Sequence, residues 1–123
     1  MANVNYASIL DHANDARTRI REVTSDELGE PGLNGAVFLD VREEVEFRSG
    51  HIADAIHLPR LEIKERISAV IPDKTTPIVA YCAIGHRSAI AADTLQELGY
   101  QNVVSLKGGL KDYTPAAASR KVA

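Results

Sequence analysis

Ile78-Val79-Ala80-Tyr81-Cys82-Ala83-Ile84-Gly85-His86-Arg87-Ser88 is the stretch that decides the fold. Pro77 to Tyr81 is an unbroken apolar run, the pattern of a strand buried on both faces. From Ser88 to Leu98 the apolar residues Ala91, Leu95 and Leu98 recur at helical spacing, and Gly99 ends the pattern. Cys82, the only cysteine of the chain, therefore falls in a strand-to-helix turn. A loop at a helix N-terminus gathers backbone N–H groups and feels the positive end of the helix dipole. Such a setting stabilises a thiolate and welcomes an anion. A lone cysteine after an apolar strand also suits a bland reading, that of a small inert core residue. Its neighbours weigh against that. Gly85 permits positive φ, Arg87 supplies a permanent cation with a fork of donors, and Ser88 is placed to cap the helix.

Outward from this loop, strand and helix patterns alternate. A helix is expected over residues 6–22, where Tyr6, Ile9, Leu10, Ala13, Ala16 and Ile20 recur at near-helical spacing. Thr24-Ser25-Asp26-Glu27 reads as a capping box opening a short helix that Gly29 to Gly32 ends. Ala36 to Val41 reads as a buried parallel strand, Glu43 to Arg48 as a helix, and Ala55 to Leu58 as a short strand closed by Pro59. Leu61 to Ile71 is amphipathic, with Leu61, Ile63, Ile67, Val70 and Ile71 apolar. Asn102 to Leu106 reads as a last strand, and Gly108-Gly109 as the turn into a short closing helix. Alternation of this kind predicts an α/β fold with a mostly parallel central sheet of about five strands flanked by helices. Functional residues then belong at the carboxyl ends of strands, where both Cys82 and Asp40-Val41-Arg42 fall.

The totals set bounds. A chain of 123 residues is about one domain long. The formal net charge is −3 without a basic run, which argues against nucleic-acid binding. No apolar stretch approaches the roughly 20 residues needed to span a bilayer, so no membrane partner is expected. Met1 to Tyr6 has neither a basic nor an apolar region of a secretory signal. One cysteine forbids an internal disulfide, which suits a cytoplasmic location. Four scattered histidines with one cysteine give no zinc-type spacing, so no metal is expected, and no Gly-rich cofactor motif is present.

Several motifs fall into one order. Phe38-Leu39-Asp40-Val41-Arg42, then Glu46-Phe47, then Gly50-His51-Ile52-Ala53-Asp54-Ala55 with Leu58-Pro59, resembles the first half of a rhodanese domain. Ile78 to Ser88 resembles that family's active-site strand and loop, and Leu98-Gly99-Tyr100, Val103 and Leu106-Lys107-Gly108-Gly109 its closing elements. The resemblance spans about residues 20–113. It places a rhodanese-like domain at 20–114, a helical extension at 1–19 and a flexible tail at 115–123. It implies a single-domain thiosulfate sulfurtransferase of three layers. Cys82 would be the nucleophile that carries a persulfide, moving a sulfane sulfur from thiosulfate or another donor to a thiol or cyanide. The substrate cradle would be Ala83, Ile84, Gly85, His86, Arg87 and Ser88, with Arg87 drawing in anionic donors. Small molecules and a sulfur-relay protein would be the partners. The sequence departs from the family at Asp54, where glycine is usual, and at Tyr113, where an aromatic, often tryptophan, closes the domain.

Other residues carry two readings each. Asp40 fits a fold-stabilising charge pair, and Arg42 fits either that pair or a role in shaping the potential at the loop. His86 fits a solvent-facing side chain or a proton carrier. His51 fits a hydrogen-bonding structural role, and His12 and His57 show no partner pattern. A cysteine phosphatase also uses a loop between strand and helix, but with five residues between cysteine and arginine. Here there are four, which suits a sulfur atom better than a phosphate. A docking module without activity is the remaining alternative.

Overall fold

The computed structural model describes residues 2–115, with side chains from Ser8 onward. The expected flexible tail lies, apart from Pro115, outside the described residues. Five strands form one sheet in the order β1-β5-β4-β2-β3, and every pairing is parallel. They are β1 (Arg21–Val23), β2 (Val37–Asp40), β3 (Ile56–His57), β4 (Ile78–Tyr81) and β5 (Val103–Leu106). The helices are α1 (Ala2–Ala16), α2 (Glu44–Ser49), α3 (Ile63–Val70), α4 (His86–Glu97) and α5 (Gly109–Asp112).

β4 is the centre of the sheet, flanked by β5 and β2. Its side chains alternate between faces, as strand geometry requires. Ile78 packs with Leu39, Ile63, Ile67, Leu95 and Tyr100 under α3 and α4. Val79 and Tyr81 pack with Val23, Leu28, Leu33, Val104 and Leu106 on the opposite face. Both faces are covered, so the strand is apolar without interruption. Full burial of each large aliphatic side chain contributes about 1.5–3 kcal/mol. The carboxyl end of this most buried strand delivers Cys82 into the loop.

Four local expectations are corrected. The first helix runs from Ala2 to Ala16, ending earlier than the periodicity suggests, because Arg21, Glu22 and Val23 pair with Val104, Ser105 and Leu106 as an edge strand. A tertiary partner outweighs helix propensity there. The segment after Thr24 is a 3₁₀ turn over Asp26–Gly29 whose N-cap, Ser25, makes no side-chain cap bond. The Glu27 carboxylate accepts from the Thr24 N–H at 2.8 Å, the reciprocal half of the expected capping box, and from the Thr24 hydroxyl at 3.2 Å. Leu61 is 75% exposed, since Arg60–Glu62 is a 3₁₀ turn that breaks the helical phase before α3 begins. Finally, α4 starts at His86 and its N-cap is Gly85 in the left-handed region at φ 103°, so Ser88 is a first-turn residue and not the cap.

Asp54 takes φ 66°, and no other non-glycine residue among those described has positive φ. It occupies the third position of the turn closed by the Ala55 N–H to the Ile52 carbonyl, at 3.0 Å. That position favours glycine, and aspartate tolerates it better than other side chains do. Asp54→Val should therefore lower stability by about 1–2 kcal/mol in urea denaturation. Asp54→Gly should stay within about 0.5 kcal/mol of the parent, because relief of strain is offset by a more flexible unfolded chain. Equal stability of the valine variant would remove the strain argument.

Candidate active site

Cys82 leaves β4 with its side chain almost wholly buried, at 1% exposure. Its Sγ accepts the Gly85 N–H at 3.2 Å and the Ser88 N–H at 3.3 Å. These donors come from the N-cap and first turn of α4, where N–H groups have no intrahelical acceptor. The sequence leads them to a sulfur atom because Gly85 turns the chain back with positive φ.

A second helix start fixes the loop from behind. The Leu110 N–H donates to the Cys82 carbonyl at 2.8 Å, and the Lys111 N–H to the Ala83 carbonyl at 3.1 Å. With its carbonyls held by α5, the loop keeps its N–H groups on the sulfur side. The approach is so close that a Cβ on Gly109 would stand 2.5 Å from the Cys82 carbonyl oxygen. Beneath the sulfur lies a buried hydroxyl pair. Ser88 Oγ is 2.8 Å from Ser105 Oγ, donates to the Gly85 carbonyl at 3.3 Å and accepts from the Cys82 thiol at 3.5 Å.

Arg87 sits beside the sulfur, yet its guanidinium is engaged. Its two terminal nitrogens donate to the Glu46 carboxylate at 2.7 and 2.9 Å, a bidentate pair from α4 to α2. Arg87's hydrogen bonds, helped by the Glu43 N–H and the charges of Arg87 and Arg42, hold the Glu46 carboxyl down at about 2 against the opposing effect of burial. The expectation that Arg87 draws in anions is thus tempered by a carboxylate at the same place. The pair also ties the loop to α2. A depressed carboxylate adds stability that is present above its ordinary range near 4.5 and is lost as pH falls towards 2. Glu46→Gln should accordingly cost about 1 kcal/mol at pH 7, given partial exposure. The deficit should shrink on going to pH 3 in matched urea titrations. A deficit independent of pH would assign the effect to packing instead of charge.

The residues around Cys82 form a cleft of about 240 Å³ lined by Ile9, Cys82, Ala83, Ile84, His86 and Arg87. Five of the six are loop residues expected from the sequence. Ile9, from α1, is not; its helical stripe shows an apolar face but gives no sign of what that face meets. Arg42 does not line this cleft. Its Nε and Nη2 donate to Asp40 at 3.0 and 2.7 Å, and Nη2 also to the Gly50 carbonyl at 2.6 Å, so Asp40 and Arg42 form a buried pair. His51 donates from Nδ1 to the Phe47 carbonyl at 2.8 Å and stacks on the Phe47 ring at 3.7 Å. His57, for which the sequence shows no partner, donates from Nε2 to the Arg42 carbonyl at 2.8 Å and stacks on the same ring at 4.5 Å. Tyr113 meets Phe38 edge-on at 6.1 Å. Among the described residues no cluster of three His, Cys, Asp or Glu could hold a metal ion. None of the described helices is long and apolar enough to cross a membrane.

A family model of the rhodanese-like domain matches residues 24–116. Thiosulfate sulfurtransferase PspE of Escherichia coli is 40% identical over 75 residues, covering 61% of this chain and 71% of PspE. The structure of a rhodanese with anions from E. coli superposes with a TM-score of 0.60 at 38% identity, over 65% of this chain and 93% of that one. A protein of unknown function from Rhodopseudomonas palustris, described as a possible tyrosine phosphatase, superposes with a TM-score of 0.71 at 26% identity, over 91% and 89% of the two chains.

Proposed function

We propose, from the premise that this chain belongs to the rhodanese-like domain family, that it is a sulfurtransferase carrying a sulfane sulfur on Cys82. The observation that supports this most is the double N–H donation from Gly85 and Ser88 to one sulfur atom. Cys82 Sγ attacks the outer sulfur of thiosulfate. A bond forms between the two sulfurs, the bond to the sulfonate sulfur breaks, and sulfite leaves with the electron pair. Cyanide or a thiolate then attacks the outer persulfide sulfur and returns Cys82 to its thiolate. No net redox partner is needed, and donor and acceptor use the cysteine in turn, which implies ping-pong kinetics. The cradle of Ala83 to Ser88 would hold the persulfide or the donor's oxygens through main-chain N–H groups. A lone thiol that no internal cysteine can oxidise suits a reducing compartment, the cytoplasm.

Phosphate-ester hydrolysis is the competing chemistry, since one structural relative is described as a possible tyrosine phosphatase. Two features argue against it here. Gly85 and Ser88 close directly on Sγ, which leaves the loop fitted to a single atom. Arg87, the residue that would grip phosphate oxygens, is held by Glu46.

Intact mass spectrometry after thiosulfate treatment is the test. The protein should gain one sulfur atom, removable by cyanide or a reducing thiol. No gain, or hydrolysis of an aryl phosphate faster than sulfur transfer, would overturn the assignment.

A further inference from the structure

α1 precedes the residues that match the family, yet it supplies one wall of the cleft at Cys82. Ile9, Ala13 and Ala16 recur at helical spacing and so share one face of the helix. Ala13 and Ala16 are buried, and the helix packs on α4. That contact fixes how the face is turned and brings Ile9 to the sulfur loop. The turn after α1 is fastened at the same place. Arg17 Nη2 donates to the Gly85 carbonyl at 3.3 Å and stands 3.0 Å from His86 Nδ1. Arg19 pairs with Asp93 at 2.7 Å, and Gln96 donates to the Arg19 carbonyl at 3.0 Å.

The cleft has room for more than one sulfur atom. Its volume is about 240 Å³, against roughly 30 Å³ for a water molecule in the liquid. Ile9, Ala83 and Ile84 give it aliphatic walls. Among the described lining residues Arg87 alone carries a permanent charge, and Glu46 offsets it by accepting from both terminal nitrogens. A charged substituent reaching past the loop's N–H groups would give up its hydration to an aliphatic wall. An apolar substituent would gain from the same contact.

We propose that Ile9 is a specificity-determining residue, and that the sulfur acceptor is an organic thiol bearing an apolar alkyl chain. The inference rests on the sulfurtransferase reading and names its acceptor. The acceptor's thiolate attacks the outer sulfur of the Cys82 persulfide. A bond forms between those two sulfurs as the bond to Sγ breaks. Sγ keeps the electron pair, and an alkyl persulfide leaves. The chain lies against Ile9 and Ile84 during the attack, so each methylene adds to transition-state binding.

The test offers sulfur-loaded protein ethanethiol, propanethiol, butanethiol and 3-mercaptopropionate. In the wild type kcat/KM should rise about two- to fourfold with each methylene. Propanethiol should be used faster than 3-mercaptopropionate, which carries a carboxylate at the end of a similar chain. Ile9→Ala should flatten the series, lowering kcat/KM about five- to tenfold for butanethiol and less than about twofold for ethanethiol. Ile9→Val should fall between, and it serves if the alanine variant does not fold. Sulfur-free protein gives a second arm. Alkylation of Cys82 should be faster with N-hexylmaleimide than with N-ethylmaleimide in the wild type, and Ile9→Ala should erase the difference. A flat thiol series in the wild type, a slope that neither substitution changes, or a preference for 3-mercaptopropionate would overturn the proposal. If the wild type takes up no sulfur from thiosulfate, the sulfurtransferase reading fails, while the maleimide arm still decides whether Ile9 selects apolar groups.

Discussion

Cys82→Ser is expected to abolish sulfur transfer, lowering turnover with thiosulfate by at least about 10³-fold, and to show no gain of mass after thiosulfate treatment. The size of the effect follows from the chemistry. In the proposed reaction Cys82 is both nucleophile and carrier, and serine would form no persulfide equivalent under these conditions. The fold should survive. A serine hydroxyl is smaller than a thiol, and its oxygen can accept the N–H groups of Gly85 and Ser88 that now meet Sγ at 3.2 and 3.3 Å. Retained cooperative unfolding with lost turnover is the expected pair of results. Sulfur loading that persists in this variant would place the carrier elsewhere in the chain.

The second large effect is expected at a residue without functional groups. Gly109→Ala should lower stability by about 3–5 kcal/mol, in the range reserved for backbone collisions and left-handed strain. Gly109 has φ 63°, which costs an L-residue about 1–2 kcal/mol. The added Cβ would stand 2.5 Å from the Cys82 carbonyl oxygen and 2.6 Å from the Ala83 carbonyl carbon, both backbone atoms that cannot rotate away. α5 would have to retreat, loosening the bonds from Leu110 and Lys111 that hold those carbonyls. Sulfur transfer should fall about 100-fold, because a displacement near 1 Å at a reacting centre costs that much. Gly108→Ala is the control. It shares positive φ, at 77°, but its Cβ meets only the Asp112 side chain, whose carboxylate can swing aside and whose Cβ, 2.8 Å away, requires a small shift at the far end of α5 and none at the loop carbonyls. It should lose stability and keep most of its activity. Equal loss of activity in both variants would show that any disturbance of α5 matters, and that the contact with the loop is not special.

These two sites differ in how legible they are. Cys82 stands out in the sequence because an apolar strand, a glycine and a helix pattern surround it. Gly109 is visible as part of a turn, but nothing in the sequence shows that the turn lies under residue 82. The same holds for the charged residues. Arg87 reads as a free cation from its place in the loop, whereas Glu46 holds both of its terminal nitrogens. Arg42 reads as a group that could face the loop, whereas Asp40 and the Gly50 carbonyl claim it. Ser88 reads as a cap, whereas Gly85 takes that place and Ser88 points its hydroxyl inwards at Ser105.

By itself the sequence determined the order of strands and helices, the parallel sheet and the cysteine loop. All of these rest on local steric preference and on the period of buried side chains, which a chain carries wherever its neighbours lie. Only the tertiary structure decided which partner each polar group meets. Arg17 finds His86, Glu46 finds Arg87, and the amides of α5 find the carbonyls of Cys82 and Ala83. Those pairings join residues far apart in the chain. A hydrogen bond is made or lost within a few tenths of an ångström, so its partner is fixed only once the sheet and both layers of helices are in place.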